Sequence, residues 1–368
     1  MFTLYFSNSI LAVNFFIISI LGNYTSIMKH KSLPVIGITM GDPAGIGPEI
    51  IIKALNNPQI HTICRPLIIG DSHIIEKALN LLSVKHQIHI IDDPEQGYFK
   101  PKILDMINAS FINIKKFNPA IPCIETGTAM QEYIIRGIDL ALNHKINGIV
   151  TCPITKTALK LAGSDFHGHT ELLAHRTDTK DYAMMLAGKT LRVVLVTIHI
   201  PLAQVPSSLT CEDIIKKIRL THVSLKERFN IKKPRIAVAG LNPHSGEASM
   251  FGHEEEDIIV PAVRLSKEAG VDVYGPLPPD TVFYHALKGC YDAVVCMYHD
   301  QGLIPFKLIH FKDGVNTTLG LPIIRTSVDH GTAYDIAWKG IADPLSLIEA
   351  IKMAAFQADS QKRQLNES

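Results

Sequence analysis

From Leu33 onward the sequence alternates short apolar runs with stretches whose apolar residues recur at helical spacing. That alternation leaves few folds open. Residues 34–39, 66–69, 87–91, 148–151, 191–197, 235–240, 271–274 and 293–297 read as strands, and residues 48–55, 129–143, 211–229 and 254–268 as helices. Short apolar runs bounded by turn residues mark strands buried on both faces, and helices between them imply crossover connections and a largely parallel sheet. The expected fold is therefore α/β, with ligands bound at the loops that follow strand ends. No internal repeat, low-complexity segment or Pro/Gly-rich linker divides the 368 residues. Two intertwined domains around a cleft are expected for that length.

Lys and Arg number 36 against 35 Asp and Glu, so no basic surplus points to nucleic acid, and no nucleic-acid partner is expected. The six cysteines are scattered, without a CxxC pair, and read as reduced thiols of a cytoplasmic protein. The N-terminus differs from the rest. No charged side chain precedes Lys29, and residues 10–21 are apolar apart from Asn14 and Ser19. That run lacks the positive flank of a secretory signal and falls short of the roughly 18–20 apolar residues needed to span a bilayer. No stable membrane insertion is expected. Residues 1–27 read as an extension outside the fold, with Met28 as the functional start. N-terminal sequencing of natively expressed protein should begin at Met28; a mature chain beginning at Met1 would contradict this.

Histidines carry the strongest chemical signal. His199 follows the run 191–197, His244 follows 235–240 in Leu241-Asn-Pro-His-Ser-Gly-Glu247, and His299 follows 293–297 in Tyr298-His-Asp-Gln-Gly302. A single loop histidine is most often ordinary. Three strands each delivering one histidine at the same end match the three-ligand set of a catalytic divalent metal. His169 lies in Gly168-His-Thr-Glu171, while His167 and His175 read as mere neighbours. Lys307, Asn316 and Arg325 bring two cations and an amide close together, flanking apolar, glycine-containing segments suited to a phosphate or carboxylate. The loop Gly41-Asp-Pro-Ala-Gly-Ile-Gly47 has two readings, an anion-binding turn or a tight turn that needs glycine for steric reasons. Residues 327–336 read as a further His/Gly turn running into a helix.

These motifs together resemble the 4-hydroxythreonine-4-phosphate dehydrogenase family of pyridoxal 5'-phosphate biosynthesis. The likeness runs from about Pro34 to Lys352 and rests on the 37–49 run, Gly168-His-Thr-Glu171, 240–247, 297–302 and 316–333. The resemblance implies a divalent metal (Zn, Mg or Co) on His199, His244 and His299, with one ligand from the partner subunit of a homodimer. It implies substrate contacts from His169, Thr170, Lys307, Asn316 and Arg325, with Lys307 as the catalytic proton-transfer group. It also implies two α/β/α domains around a cleft, like isocitrate and isopropylmalate dehydrogenases: residues 28–155 with 325–368, and residues 156–324. The cofactor would be NAD, and no 2'-phosphate signal separates it from NADP. Asp329, His330, Gly331 and Ala333 are similar to the adenosine-binding turn of those enzymes. The implied reaction is oxidation of 4-phosphooxy-L-threonine at C3 and decarboxylation to 3-amino-2-oxopropyl phosphate. Two rivals remain: the same machinery on a phosphorylated four-carbon sugar acid, and a phosphate acyltransferase of related fold, which needs no metal set.

Overall fold

The computed structural model describes residues 33–166 and 168–367, so the N-terminal extension and His167 lie outside the described residues. Twelve strands form one sheet: β1 (Val35–Thr39), β2 (Arg65–Gly70), β3 (Gln87–Ile90), β4 (Ile103–Asn108), β5 (Gly148–Thr151), β6 (Ala183–Ala187), β7 (Arg192–Leu195), β8 (Ile236–Ala239), β9 (Val273–Leu277), β10 (Ala293–Cys296), β11 (Val315–Leu319) and β12 (Arg325–Ser327). Their order is β3-β4-β2-β1-β5-β12-β11-β6-β7-β10-β8-β9. Every pairing is parallel except β12–β11, β11–β6 and β6–β7. All eight strand candidates contain or overlap an observed strand. The four unforeseen strands are β4, β6, β11 and β12.

The principal helices are α1 (Gly47–Leu55), α2 (Ser72–Leu82), α3 (Ile124–Leu142), α4 (His169–Arg176), α5 (Cys211–Glu227), α6 (Val260–Glu268), α7 (His299–His310) and α8 (Leu345–Glu367). Local chemistry accounts for several of their starts. Pro48 stands in the first turn of α1, where its missing N–H costs nothing. Asp71 caps α2 by accepting from the His73 and Ile74 amides at 2.9 and 3.2 Å, and Thr210 caps α5 by accepting from Asp213 N at 3.1 Å. The helix expected over 254–268 is a π-helical turn, Glu255–Ile259, leading into α6. The turn at 327–336 does not run into a helix; turn structure continues and the next helix, α8, starts at Leu345. Among the described residues no helix is long and apolar enough to cross a membrane. The six cysteines are free.

Apolar packing gathers in separate clusters. The largest joins residues of the β1–β5 region to Val315, Ile324 and the buried face of α8. Two others cover opposite faces of the β6–β10 region, one against α5 and α6 and one against α7. Between them lies the β11–β12 hairpin, held at its turn by a buried arginine. Arg228 donates through Nη1 to Thr318 O at 3.1 Å and through Nη2 to Leu321 O and to Ile323 O at 3.3 Å. Burial pushes this guanidinium down to about 10, yet its hydrogen bonds are met by carbonyls. Replacing Arg228 by Met should orphan these carbonyls and cost about 3 kcal/mol or more of stability. Urea denaturation reads this directly; an unchanged midpoint would show that the hairpin needs no clamp.

Candidate active site

The three histidines do stand just beyond the C-terminal ends of β7, β8 and β10, which are neighbours in the order β7-β10-β8. Only two of the rings meet. His199 and His299 lie with ring centroids 5.6 Å apart, tilted by 42°, and line an open cavity of about 310 Å³ with Leu202, Tyr298 and Asp300. His299 Nδ1 is 2.6 Å from Asp300 Oδ1, a contact that orients the ring and leaves Nε2 facing away. Burial, the His299 ring and the Lys156 charge push His199 below its ordinary range, favouring the neutral imidazole that a metal requires.

His244 takes another course. Residues 244–249 all have positive φ, between 42° and 81°. A left-handed run of this length is costly for side-chain-bearing residues and turns the chain sharply after β8. Its base is anchored by buried Glu255, which accepts from Leu241 N and Asn242 N, both at 2.7 Å. His244 itself is exposed, with Nδ1 3.0 Å from Glu247 Oε2. Among the described residues no group of three or more His, Cys, Asp or Glu side chains could hold a metal ion. Gln301, which the sequence reading missed, ties two of the histidine-bearing strand ends together. It is buried, accepts from Met297 N at 2.7 Å and donates to Gly240 O at 2.6 Å.

The anion candidates collect around β12. Arg325 is 3% exposed and donates to Thr318 Oγ1 at 3.2 Å and Thr151 Oγ1 at 2.9 Å. Its Nε has no partner, and burial pushes the guanidinium down to about 10. His169 opens α4, with Thr170 after it, and its buried Nε2 is also unpartnered. Burial, and secondarily the Arg325 charge, hold His169 well below its usual range, as a neutral ring. Asn316 on β11 leaves Oδ1 buried and unmet, its Nδ2 touching Met184 Sδ at 3.3 Å. Three of the five substrate candidates thus carry buried polar atoms without a partner among the described residues. A polar ligand would supply what these atoms lack.

Lys307, on α7, is half-exposed and ion-paired, Nζ to Asp329 Oδ2 at 3.2 Å. This links the proton-transfer candidate to the 329–333 turn. In that turn His330 is exposed, Ala333 has φ 45°, and a Cβ added to Gly331 would meet nothing within 4 Å, so the backbone there is open to a ligand. The glycine-rich loop is not open. Asp42 N donates to Pro153 O, Gly45 N to Asp42 O, Ile46 N to Thr332 O and Ala44 N to Asp42 Oδ1. A Cβ at Gly47 would lie 2.1 Å from Met40 O, and one at Gly41 (φ 71°) 2.4 Å from Pro153 O. Steric need explains these two glycines, and the anion reading of the loop gives way. The 332–338 segment docks on it: Tyr334 hydroxyl donates to buried Asp42, Trp338 N donates to Glu49, and Trp338 Nε1 donates to Pro43 O at 3.1 Å.

His169 gives the site a signature in pH. Because its folded-state pKa is depressed, its contribution to stability is complete above the unfolded value of about 6.5 and is lost as pH falls below it. Thermal melts at about pH 7.5 and 5.5 should show a larger fall in Tm for the wild type than for His169→Asn. Equal falls would mean that His169 is not held neutral.

The family model for the pyridoxal phosphate biosynthetic protein PdxA matches residues 62–354. A 4-hydroxythreonine-4-phosphate dehydrogenase of Desulforapulum autotrophicum is 60% identical over 325 residues, 88% of this chain and 96% of the relative. A D-threonate 4-phosphate dehydrogenase of Cupriavidus necator is 46% identical over 324 residues, 88% of this chain and 97% of the relative. The crystal structure of a 4-hydroxythreonine-4-phosphate dehydrogenase from Klebsiella pneumoniae superposes with a TM-score of 0.83 at 43% identity, covering 89% of this chain and 98% of that one. Matches of this extent, over the segment that carries the site, place the chain in the PdxA family of pyridoxal phosphate biosynthetic proteins.

Proposed function

We propose that the protein oxidises 4-phosphooxy-L-threonine at C3 with NAD and decarboxylates the resulting β-keto acid to 3-amino-2-oxopropyl phosphate. The observation that carries this is the set of buried polar atoms on His169, Asn316 and Arg325 that have no partner among the described residues, together with the His199–His299 pair. An anionic substrate satisfies the first set while its secondary alcohol lies toward the second. His199 and His299, with His244, would hold a divalent ion (Zn, Mg or Co), which when bound supplies Lewis-acid stabilisation of charge at the reacting oxygen. NAD, or NADP, supplies the hydride acceptor and would lie along Asp329, His330, Gly331 and Ala333.

The residues then divide the work. Arg325 holds one anionic group in a site from which water is excluded, where its guanidinium fork acts most strongly. Neutral His169, with Thr170 and Asn316, supplies directional hydrogen bonds without adding charge. Lys307 handles the proton: the one released by the C3 hydroxyl during hydride transfer equals the one taken up at C2 once carbon dioxide has left. Its pairing with Asp329 couples that proton to the cofactor turn.

The separation of His244 from the other two rings supports a homodimer in which a second copy completes the metal set. Ile304, Leu308 and Phe311, at i, i+4 and i+7 along and just past α7, are strongly exposed and give a second copy an apolar face beside the site. Two domains, 28–155 with 325–368 and 156–324, in the isocitrate/isopropylmalate dehydrogenase manner, remain our reading, with the largest apolar cluster crossing that boundary through Leu172, Leu173, Val315 and Ile324, and a cytoplasmic setting suits the free cysteines. D-threonate 4-phosphate is the second reading, favoured by a relative of that name at 46% identity.

NADH formation, followed by absorbance with 4-phosphooxy-L-threonine, should occur, stop on chelation and return with added divalent metal. His244→Ala should lower turnover by at least roughly 100-fold with the fold intact. Turnover only with D-threonate 4-phosphate would move the substrate assignment, and silence with both would overturn the dehydrogenase reading.

A further inference from the structure

The oxidation chemistry uses His299 and Lys307 of α7 but not the end of that helix. His310, its last residue, is buried and belongs to a separate chain of hydrogen bonds. Its Nε2 lies 2.8 Å from Thr190 Oγ1, and its Nδ1 lies 3.1 Å from Asp313 Oδ1. The Thr190 amide also donates to Nε2, at 3.4 Å. An N–H can donate only to an unprotonated nitrogen, so Nε2 is the acceptor and Nδ1 carries the hydrogen that Asp313 receives. A hydroxyl donating to a neutral imidazole whose far nitrogen is held by a carboxylate is the order of groups that activates a hydroxyl nucleophile.

These groups are fixed in place and reachable. Lys189 and Thr190 form the two-residue loop between β6 and β7, closed by Gly188 N donating to Leu191 O at 2.9 Å, and Thr190 is exposed there. A Cβ at Gly188 would lie 2.4 Å from His310 Cδ2, so only glycine leaves room for the ring, whose centroid is 5.4 Å from that of Phe306. A cavity of about 330 Å³ opens beside the loop, lined by Gly188, Lys189, Arg192 and Asp313 together with Phe229 and Phe356. Its two acids are engaged, Asp313 by His310 and Glu349 by Lys352 Nζ at 2.7 Å. Lys189 and Arg192 are left to meet an anion, and Arg192 Nε is buried without a partner among the described residues. His299 opens α7 and His310 ends it, about 16 Å apart along the axis, so this group is separate from the metal candidates.

We infer that Thr190 is a self-acylation site, activated by His310 and Asp313, that takes its acyl group from acyl phosphates. Thr190 Oγ1 bonds to the acyl carbon and gives its proton to His310 Nε2, while Asp313 holds the imidazolium. The bond from the acyl carbon to the phosphate oxygen breaks, its electron pair leaves with the phosphate, and His310 passes the proton to that oxygen. The products are a threonine ester and inorganic phosphate, with no oxidant or reductant consumed. Lys189 and Arg192 suit the anionic leaving group, the first as a compact charge and the second as a planar fork.

The full chain would be incubated with acetyl phosphate or with p-nitrophenyl acetate. Peptide mass mapping before and after hydroxylamine, which cleaves esters and spares lysine amides, then locates the acetyl group. Thr190 should carry a hydroxylamine-sensitive acetyl group with either donor. Thr190→Val should abolish it, Thr190→Ser should keep it, and Asp313→Asn should slow its formation by roughly 100-fold. Lys189→Gln should slow transfer from acetyl phosphate by about threefold and leave transfer from the uncharged ester unchanged. Acetyl groups confined to hydroxylamine-resistant lysine amides, or ester formation at an unaltered rate in Asp313→Asn, would overturn the assignment. Transfer from p-nitrophenyl acetate alone would overturn the choice of donor.

Discussion

Two buried guanidiniums, neither ion-paired to a carboxylate among the described residues, grip the β11–β12 hairpin, and the rest of the molecule is arranged around that grip. Arg228 holds the turn by its carbonyls, and Arg325 holds the strands through Thr318 and Thr151. Burying an ionised group is expensive unless its hydrogen bonds are met. Arg228 meets that requirement from the protein alone. Arg325 does not, because its Nε is left over. The same chemistry, brought by two arginines that meet at Thr318, thus serves two purposes in one hairpin, a structural clamp in Arg228 and an unfinished set of hydrogen bonds in Arg325. The hairpin also joins the sheet's two parallel regions through antiparallel pairings, so the site is assembled where strand direction reverses.

How much of this could be read in the sequence follows from what each strand is for. β1, β2, β5, β7, β8 and β10 are buried on both faces and announce themselves as apolar runs. β11 (Val-Asn-Thr-Thr-Leu) and β12 (Arg-Thr-Ser) stand just as deep in the sheet yet are mostly polar. Their side chains line the site or hydrogen-bond one another, as Arg325 Nη1 does to Thr318 Oγ1, so hydrophobic patterning could not find them. The residues that hide these strands are the ones the motifs exposed, since Asn316 and Arg325 were picked out by their chemistry. Short-range periodicity and site chemistry were complementary signals here. Partners drawn from distant elements, such as Thr151 on β5 for Arg325 or Asp329 after β12 for Lys307, left no local trace.

The histidines show the same limit. Position after a strand was enough to choose His199, His244 and His299, but not to say which rings meet. That depends on backbone conformation after each strand, and six consecutive left-handed residues carry His244 away. Only one of those six is glycine, so nothing in the residue types warns of the turn. Strain on this scale is tolerated where surrounding contacts over-determine the loop, and Glu255 supplies those contacts from the start of the next helical segment.

The seating of Trp338 on the 41–47 loop has a practical side. The chain contains one tryptophan, and its indole is fixed by Pro43 O beneath the turn that leads away from Asp329. Phe117 meets the ring edge-on at 5.4 Å and the Lys77 ammonium lies 6.0 Å from its centre. All indole emission from this protein therefore originates at the junction between the glycine-rich loop and the segment behind the 329–333 turn. The molecule carries its own optical gauge there, with no label to attach and no second fluorophore of the same kind to subtract.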